Sequence, residues 1–477
     1  MAMIGAAIGL GNIWRFSYVL YSQGGGAFFI PYITAIVIMG IPFLIMEYAL
    51  GYKFKDSLSN ILKKVKPYFE FIGWFVAFLV FLVLTYYVVI IGWDCLYLIL
   101  SFFKGWGADP NMYFNNNIIM GGSENFSGIF TPVIPVSIIT IVLWIIIWFI
   151  SHKSLDNLSK VVKVLIPTLF IIMAFIIIYA VTLPGHTIGL YALFKPNWSL
   201  LLDIDIWLAA FGQILFSLSM GQAIALTYAS YLSDDVKLVD NVLYVVVSNS
   251  LFEIFTAVGV FSILGFMCLQ SGLPIEDVAT SGTGLLFIVF PQIFNIMGDV
   301  AYIIAPLFFL CVLFAGITSA LAFLEVITNG VSMKFGYSRV KSVTLFSIIG
   351  VAISLILTTG AGNYLITILD TYLNQFGILL GVILQAVVIG WLYGVEKLTS
   401  IINENSTIKV GRLWILTIKM IMPVILSIMW IFGIFDLIAS EDHLTLTIEA
   451  IITIAFIVVP CILTILPSKN SENIEKN

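Results

Sequence analysis

Charge is what this sequence has least of. Only 10% of its 477 residues are Asp, Glu, Lys or Arg, against 61% hydrophobic, whereas a soluble domain carries about 25% charged residues. A water-facing surface of that size cannot be wetted with so few charges. Histidine is scarce too: there are three, and none pairs with a cysteine at metal-ligand spacing. The four cysteines, Cys95, Cys268, Cys311 and Cys461, fall in or at the ends of apolar runs, so they read as small hydrophobes rather than a disulfide framework. Neither a phosphate-binding Walker loop nor a nucleophile elbow is found, and no acid, base and metal set converges in the pattern of an enzyme. No cleavable leader is expected, nor is nucleic acid a partner for a chain with net charge −5. An Asn125-Phe126-Ser127 sequon is of the kind that arises by chance.

What remains is apolar sequence in long runs, with mean hydropathy +1.10. A helix needs about 20 apolar residues to cross a bilayer, and the runs predict twelve spans near 1–21, 26–52, 67–103, 131–151, 156–183, 205–232, 238–269, 298–334, 340–358, 364–395, 410–436 and 444–466. The runs do not alternate as barrel strands would, and lipid offers no partners to open backbone. The fold class is therefore an all-α polytopic membrane protein. The longest stretches outside the spans, 104–130, 184–204 and 270–297, are too short for a separate domain. Loops after even-numbered spans hold fifteen Lys and Arg residues, and the opposite loops only Lys104 and Lys195. Basic loops stay inside, so both termini, including the polar tail Ser468–Asn477, are expected in the cytoplasm of a cell-membrane protein.

Two spans contain breakers. Span one reads Gly5-Ala6-Ala7-Ile8-Gly9-Leu10-Gly11-Asn12 and span six Phe216-Ser217-Leu218-Ser219-Met220-Gly221-Gln222. Small residues at mid-membrane serve either close helix packing or an unwound segment whose carbonyls face an ion. Two interrupted helices five spans apart point to inverted repeats around a midplane site.

An ordered set of motifs goes further. Gly9-Leu10-Gly11-Asn12-Ile13-Trp14-Arg15-Phe16 and Gly24-Gly25-Gly26-Ala27-Phe28-Phe29-Ile30-Pro31-Tyr32 open it. Tyr86-Tyr87, Gly212 to Ser219, Thr227-Tyr228-Ala229-Ser230-Tyr231, Ala315 to Ser319 and Trp391-Leu392-Tyr393-Gly394 follow. Together they resemble the neurotransmitter:sodium symporter family. The resemblance implies a 5+5 inverted repeat over 1–183 and 184–396, with two appended spans and the tail over 397–477. It also implies sodium-coupled uptake by alternating access.

Carried over position by position, the resemblance implies a first sodium site of the Ala7 carbonyl, Asn12, Ser217 and Asn249. The second comprises the Gly5, Ile8 and Ala315 carbonyls with Thr318 and Ser319. Such neutral oxygens suit a hard cation. Leu10 and Gly11 amides with Tyr87 would cradle a substrate carboxylate, as free N–H groups at a half-helix start favour anions. Ala7, Phe216, Ser217 and Ser219 would take its ammonium. Val83, Phe216, Ser219, Gln222, Ser319 and Phe323 would line the side-chain pocket. Gln222 departs from the family's leucine carriers, which place an aromatic residue there; a buried amide needs a partner. Family members that carry monoamines have an aspartate at the Gly9 position, so glycine implies a substrate that brings its own carboxylate: a small, neutral amino acid.

Arg15 and Asp370 are expected as an outer gate, with Phe216 as lid. Glu253, at i+4 from Asn249 and on one helix face with it, stands where chloride-dependent members have serine. Chloride-independent transport is therefore expected, with a proton taken up by Glu253 as an open question. The resemblance further implies an inner half-helix ahead of Met1, so either the true start lies upstream, which is the expectation, or the chain lacks the inner half of span one. The inner-gate aspartate position holds Met333, which removes that salt bridge. A proton-coupled transporter of the same fold, and an amino-acid receptor or channel, remain as alternatives. Ion number, substrate identity and oligomeric state stay open.

Overall fold

In the computed structural model, residues 2–120, 128–153, 155–233, 235–280, 282–440 and 443–469 are described. The sequon at Asn125 and most of the polar tail lie outside them. Among the described residues ten continuous helices are long and apolar enough to cross a bilayer. They are Gly25–Phe54, Pro67–Ser101, Ile134–Ser151, Leu158–Ala180, Leu238–Ser271, Gly298–Phe335, Arg339–Ile356, Gly362–Glu404, Arg412–Phe435 and His443–Ile465. These are expected spans two to five and seven to twelve, with span ten running some way beyond its expected end.

Spans one and six are each in two pieces, as their breakers suggested. Span one consists of Ala2–Ala7 and Leu10–Ser22, separated at Ile8 and Gly9. Span six consists of Ile204–Ser217 and Ile224–Ala229, with irregular turns between. In that gap Ser219, Gly221 and Ala223 all take positive φ, at 50°, 72° and 57°. Such left-handed backbone is costly for a residue with a Cβ and persists only when the surroundings hold it.

Burial sorts the spans by position. The most hydrophobic window of span three is 89% buried and that of span seven 78%, whereas span twelve reaches only 22%. Spans three and seven thus form the middle of the bundle. The outer helices carry exposed Ile138, Ile145, Phe149, Ile454 and Ile457, a face that only lipid tails can cover without cost. Span eight packs along span three and along span nine, and the second half of span one packs against span seven.

The end of the bundle that carries the lysine-rich loops is tied by ions. Glu70 accepts from Lys334 at 2.6 Å and Lys63 at 2.8 Å, and from Trp74 Nε1 at 3.1 Å. Lys334 Nζ also donates to the Thr464 carbonyl at 3.0 Å, which fastens span twelve to spans three and eight. A buried lysine with this many oxygen partners keeps its charge compensated. The stretches 104–130, 184–204 and 270–297 were expected to hold no separate domain. They fold into short helices, among them Pro110–Tyr113, His186–Phe194 and Phe290–Ile296. The cysteines are unbridged and buried or half-buried.

Candidate functional site

A cavity of about 430 Å³ lies between the two breaks. All eleven expected substrate residues line it: Ala7, Leu10, Gly11, Val83, Tyr87, Phe216, Ser217, Ser219, Gln222, Ser319 and Phe323. Residues from spans one, three, six, eight and ten therefore meet at one volume. It extends toward the end opposite the lysine-rich loops, past Arg15 and Thr283 to Asp370, Asn374 and Gln375.

The start of the second half of span one aims its amides at this space. Leu10 N donates to the Tyr87 hydroxyl at 3.2 Å, so the expected carboxylate cradle is assembled around an oxygen acceptor. Gly9 is tightly placed. A Cβ there would stand 3.0 Å from Ser319 Oγ and 3.1 Å from the Tyr87 hydroxyl. Gly11 is needed for a different reason: its Cβ would meet the Phe216 ring at 2.2 Å. Phe216 can cover the cavity only because that position has no side chain.

The expected cation ligands fall into two groups. Asn12 Nδ2 donates to Asn249 Oδ1 at 2.7 Å, and Asn249 Nδ2 donates to Ser217 Oγ at 3.1 Å. Asn12 Oδ1 accepts from the Gly9 amide at 2.9 Å. One hydrogen-bonded chain thus joins spans one, seven and six beside Ala7. In the second group Ser319 Oγ donates to the Ile8 carbonyl at 3.4 Å, and Thr318 Oγ1 to the Ala315 carbonyl at 3.0 Å. Thr318 also bonds back to the Phe314 carbonyl at 3.1 Å, the ordinary habit of a helical threonine. Gly5, in the first half-helix, packs against Ile166 and Val162 of span five. Both groups supply neutral oxygens in a buried setting and no carboxylate, the chemistry of a monovalent hard cation rather than a transition metal.

Glu253 is fully buried. It accepts from Gln213 Nε2 at 2.7 Å and from the Tyr32 hydroxyl. Gln213 and Tyr32 stand on spans six and two, and the Ser217 hydroxyl is a further partner, so Glu253 adjoins the Asn249–Ser217 pair.

The expected gate pair is not closed. Arg15 lies over the Phe216 ring at 4.7 Å. Asp370 accepts instead from the Tyr86 hydroxyl at 2.7 Å and from Asn374 Nδ2 at 2.9 Å. Both line the cavity, but they form no ion pair among the described residues, and Asp370 is exposed. The other end is shut. Arg339 holds Glu325 through two bonds, 2.8 Å and 2.7 Å, and donates to the Ser151 carbonyl at 2.7 Å. Tyr231 adds a third bond to Glu325 at 2.8 Å. Met333 takes no part and is exposed.

Sequence reasoning missed this Glu325–Arg339 pair. It also missed two polar residues beside the break in span six. Gln385 of span ten donates to the Gly221 carbonyl at 2.8 Å. The Glu47 carboxyl of span two faces the Gly221 and Ala223 amides. Charged or amide residues inside apolar spans were the available signal.

A family model described as the sodium:neurotransmitter symporter family matches residues 1–128 and 107–467 of this chain. An uncharacterized sodium-dependent transporter of Methanocaldococcus jannaschii is 37% identical over 430 residues, covering 90% of this chain and 87% of that protein.

Proposed function

The chain belongs to the sodium:neurotransmitter symporter family, which makes it a multi-pass, sodium-coupled membrane transporter, and from that premise we propose that its cargo is a small α-amino acid. The observation that carries this reading is the Leu10 amide at a half-helix start, bonded to Tyr87 within a cavity flanked by both oxygen groups. An amino-acid carboxylate takes the place of the hydroxyl's lone pairs there, held by Leu10, Gly11 and Tyr87. Its ammonium meets carbonyls of Ala7, Phe216 and Ser217.

Two sodium ions accompany it. One sits among Ala7, Asn12, Ser217 and Asn249, with the substrate carboxylate completing the shell. The other sits among the Gly5, Ile8 and Ala315 carbonyls, Thr318 and Ser319. The Asn12–Asn249–Ser217 chain supports the first site: those three groups satisfy one another at 2.7–3.1 Å and need only rotate their oxygens inward to hold an ion.

Gly9 supports an amino acid over a monoamine, because it supplies no acidic side chain to pair with the ammonium of a substrate that lacks a carboxylate, and the hydroxyls at 3.0 and 3.1 Å crowd any side chain there. Glu253 supplies a fixed carboxylate beside the first site, which supports transport without chloride. Arg15 and Asp370 close over the loaded cavity with Phe216 beneath them, while Glu325–Arg339 opens at the cytoplasmic end. The repeats 1–183 and 184–396 rock about the breaks, and both termini face the cytoplasm of the cell membrane.

The test is accumulation. Proteoliposomes with an inward sodium gradient should concentrate a labelled amino acid above its outside level, and should collapse that gradient when sodium is equalised. Uptake that only reaches the outside concentration would describe a channel. Binding with no uptake would describe a receptor.

A further inference from the structure

The inner end of the cavity holds one unspent polar atom. Gln222 lies in the break of span six between two left-handed residues, Gly221 and Ala223. It lines the cavity and is only 4% exposed. Its Oε1 has no hydrogen-bond partner. The nearby hydroxyls are already directed elsewhere: Ser219 Oγ donates to the Ala6 carbonyl and Ser319 Oγ to the Ile8 carbonyl, both at 3.4 Å. The charged pair, Arg15 and Asp370, stands at the exposed mouth. Val83 and Phe323 line the same cavity, Phe323 edge-on to Tyr87 at 5.4 Å between ring centres.

We propose that Gln222 selects a short, uncharged amino acid whose side chain donates a hydrogen bond: a hydroxyl or a carboxamide. This rests on the amino-acid reading above and narrows it.

An apolar side chain pushed against Gln222 would leave its amide dry and unpaired, which is costly. Water can serve the amide in the free protein, but a ligand that displaces water without replacing its bonds loses affinity. A charged side chain would need a counter-ion, and the charged residues that line the cavity are Arg15 and Asp370. A long one meets Phe323. A hydroxyl or carboxamide both donates and accepts, so it satisfies Gln222 whichever way the amide is turned. Sites built to bond a polar group reject the analogue lacking it more strongly than apolar pockets reject an extra methylene.

The experiment uses the purified full chain in sodium buffer and near-isosteric pairs: serine with alanine, threonine with valine, asparagine with leucine. Equilibrium affinities are read by thermal shift and calorimetry. The polar member of at least one pair should bind about tenfold tighter or more. In Gln222→Leu that preference should invert, with the apolar partner gaining. Should that variant not fold, the ratios in the native protein decide the matter alone. If alanine, valine and leucine bind in sodium as well as their polar partners, the selection by Gln222 is wrong and the amino-acid symporter stands. If no α-amino acid binds in sodium, both fall.

Discussion

Gly9 has two hydroxyls within 3.1 Å of where its Cβ would be, and that spacing makes substitution informative. Gly9→Asp would press a carboxylate against Tyr87 and Ser319, beside the place reserved for the substrate's own. Juxtaposed like charges cost several kcal/mol, so amino-acid affinity should fall at least about 100-fold in a titration of the folded variant. Affinity kept within a few-fold would mean the headgroup binds elsewhere. Glu253 gives a second residue-level expectation. Glu253→Ser removes the fixed charge beside Ser217 and Asn249, and uptake should become chloride-dependent. Equal rates in chloride and gluconate would end the role assigned to that carboxyl. Asp94 behaves differently. It is fully buried in span three with neither carboxyl oxygen bonded, and it is absent from the cavity lining. An unpaired buried polar group costs about 1–3 kcal/mol. Asp94→Leu should therefore melt no lower than the native protein and keep sodium-dependent binding; a variant that loses binding would mark the acid as functional.

At the scale of the element, the broken helices carry the argument. The gap in span six is held by Gln385 on the Gly221 carbonyl. Gly221 itself combines φ +72° with a Cβ position 2.1 Å from Val382. Gly221→Ala has to strain the backbone and displace span ten, a cost of about 1–3 kcal/mol. Its melting temperature should drop by several degrees, and its sodium-dependent binding should weaken about tenfold or more. An unchanged melt would show that the turn is softer than its packing suggests. Both breaks were legible in the sequence, because glycine and serine interrupt otherwise continuous apolar runs at Gly5–Gly11 and Ser217–Gly221. The eleven cavity residues were legible through the family resemblance that the ordered motifs carry, although Ala7, Val83, Gln222 and Phe323 lie outside the motifs themselves. The holder of the second break was not legible: Gln385 is a single polar residue in an apolar helix, and nothing in its local pattern says which backbone it reaches. The helices within 110–118 and 275–296 went unseen because they are too short for a hydropathy window.

At the scale of the whole molecule, one end is open and the other locked. Asp370 is exposed and unpaired with Arg15, while Glu325 and Arg339 share two bonds next to Tyr231. The pair joins span eight to the start of span nine across a turn, so it was hidden from motif reading even though its members are only 14 positions apart. Removing one partner of a buried pair strands the other charge, typically at about 3–5 kcal/mol. Arg339→Ala should favour the form open at the end that carries the lysine-rich loops: concentrative uptake falls to a few per cent, sodium affinity weakens about tenfold, and Arg339→Lys recovers part of both. Normal uptake by Arg339→Ala would show that this contact is no gate.

The central claim is that oxygens freed at two broken helices hold sodium and an amino-acid headgroup together. The most direct measurement is the affinity of the purified protein for its best-binding amino acid at fixed pH, with sodium exchanged for choline and, separately, chloride exchanged for gluconate. The account predicts binding that vanishes in choline and is unchanged in gluconate. Equal affinity with and without sodium would contradict it.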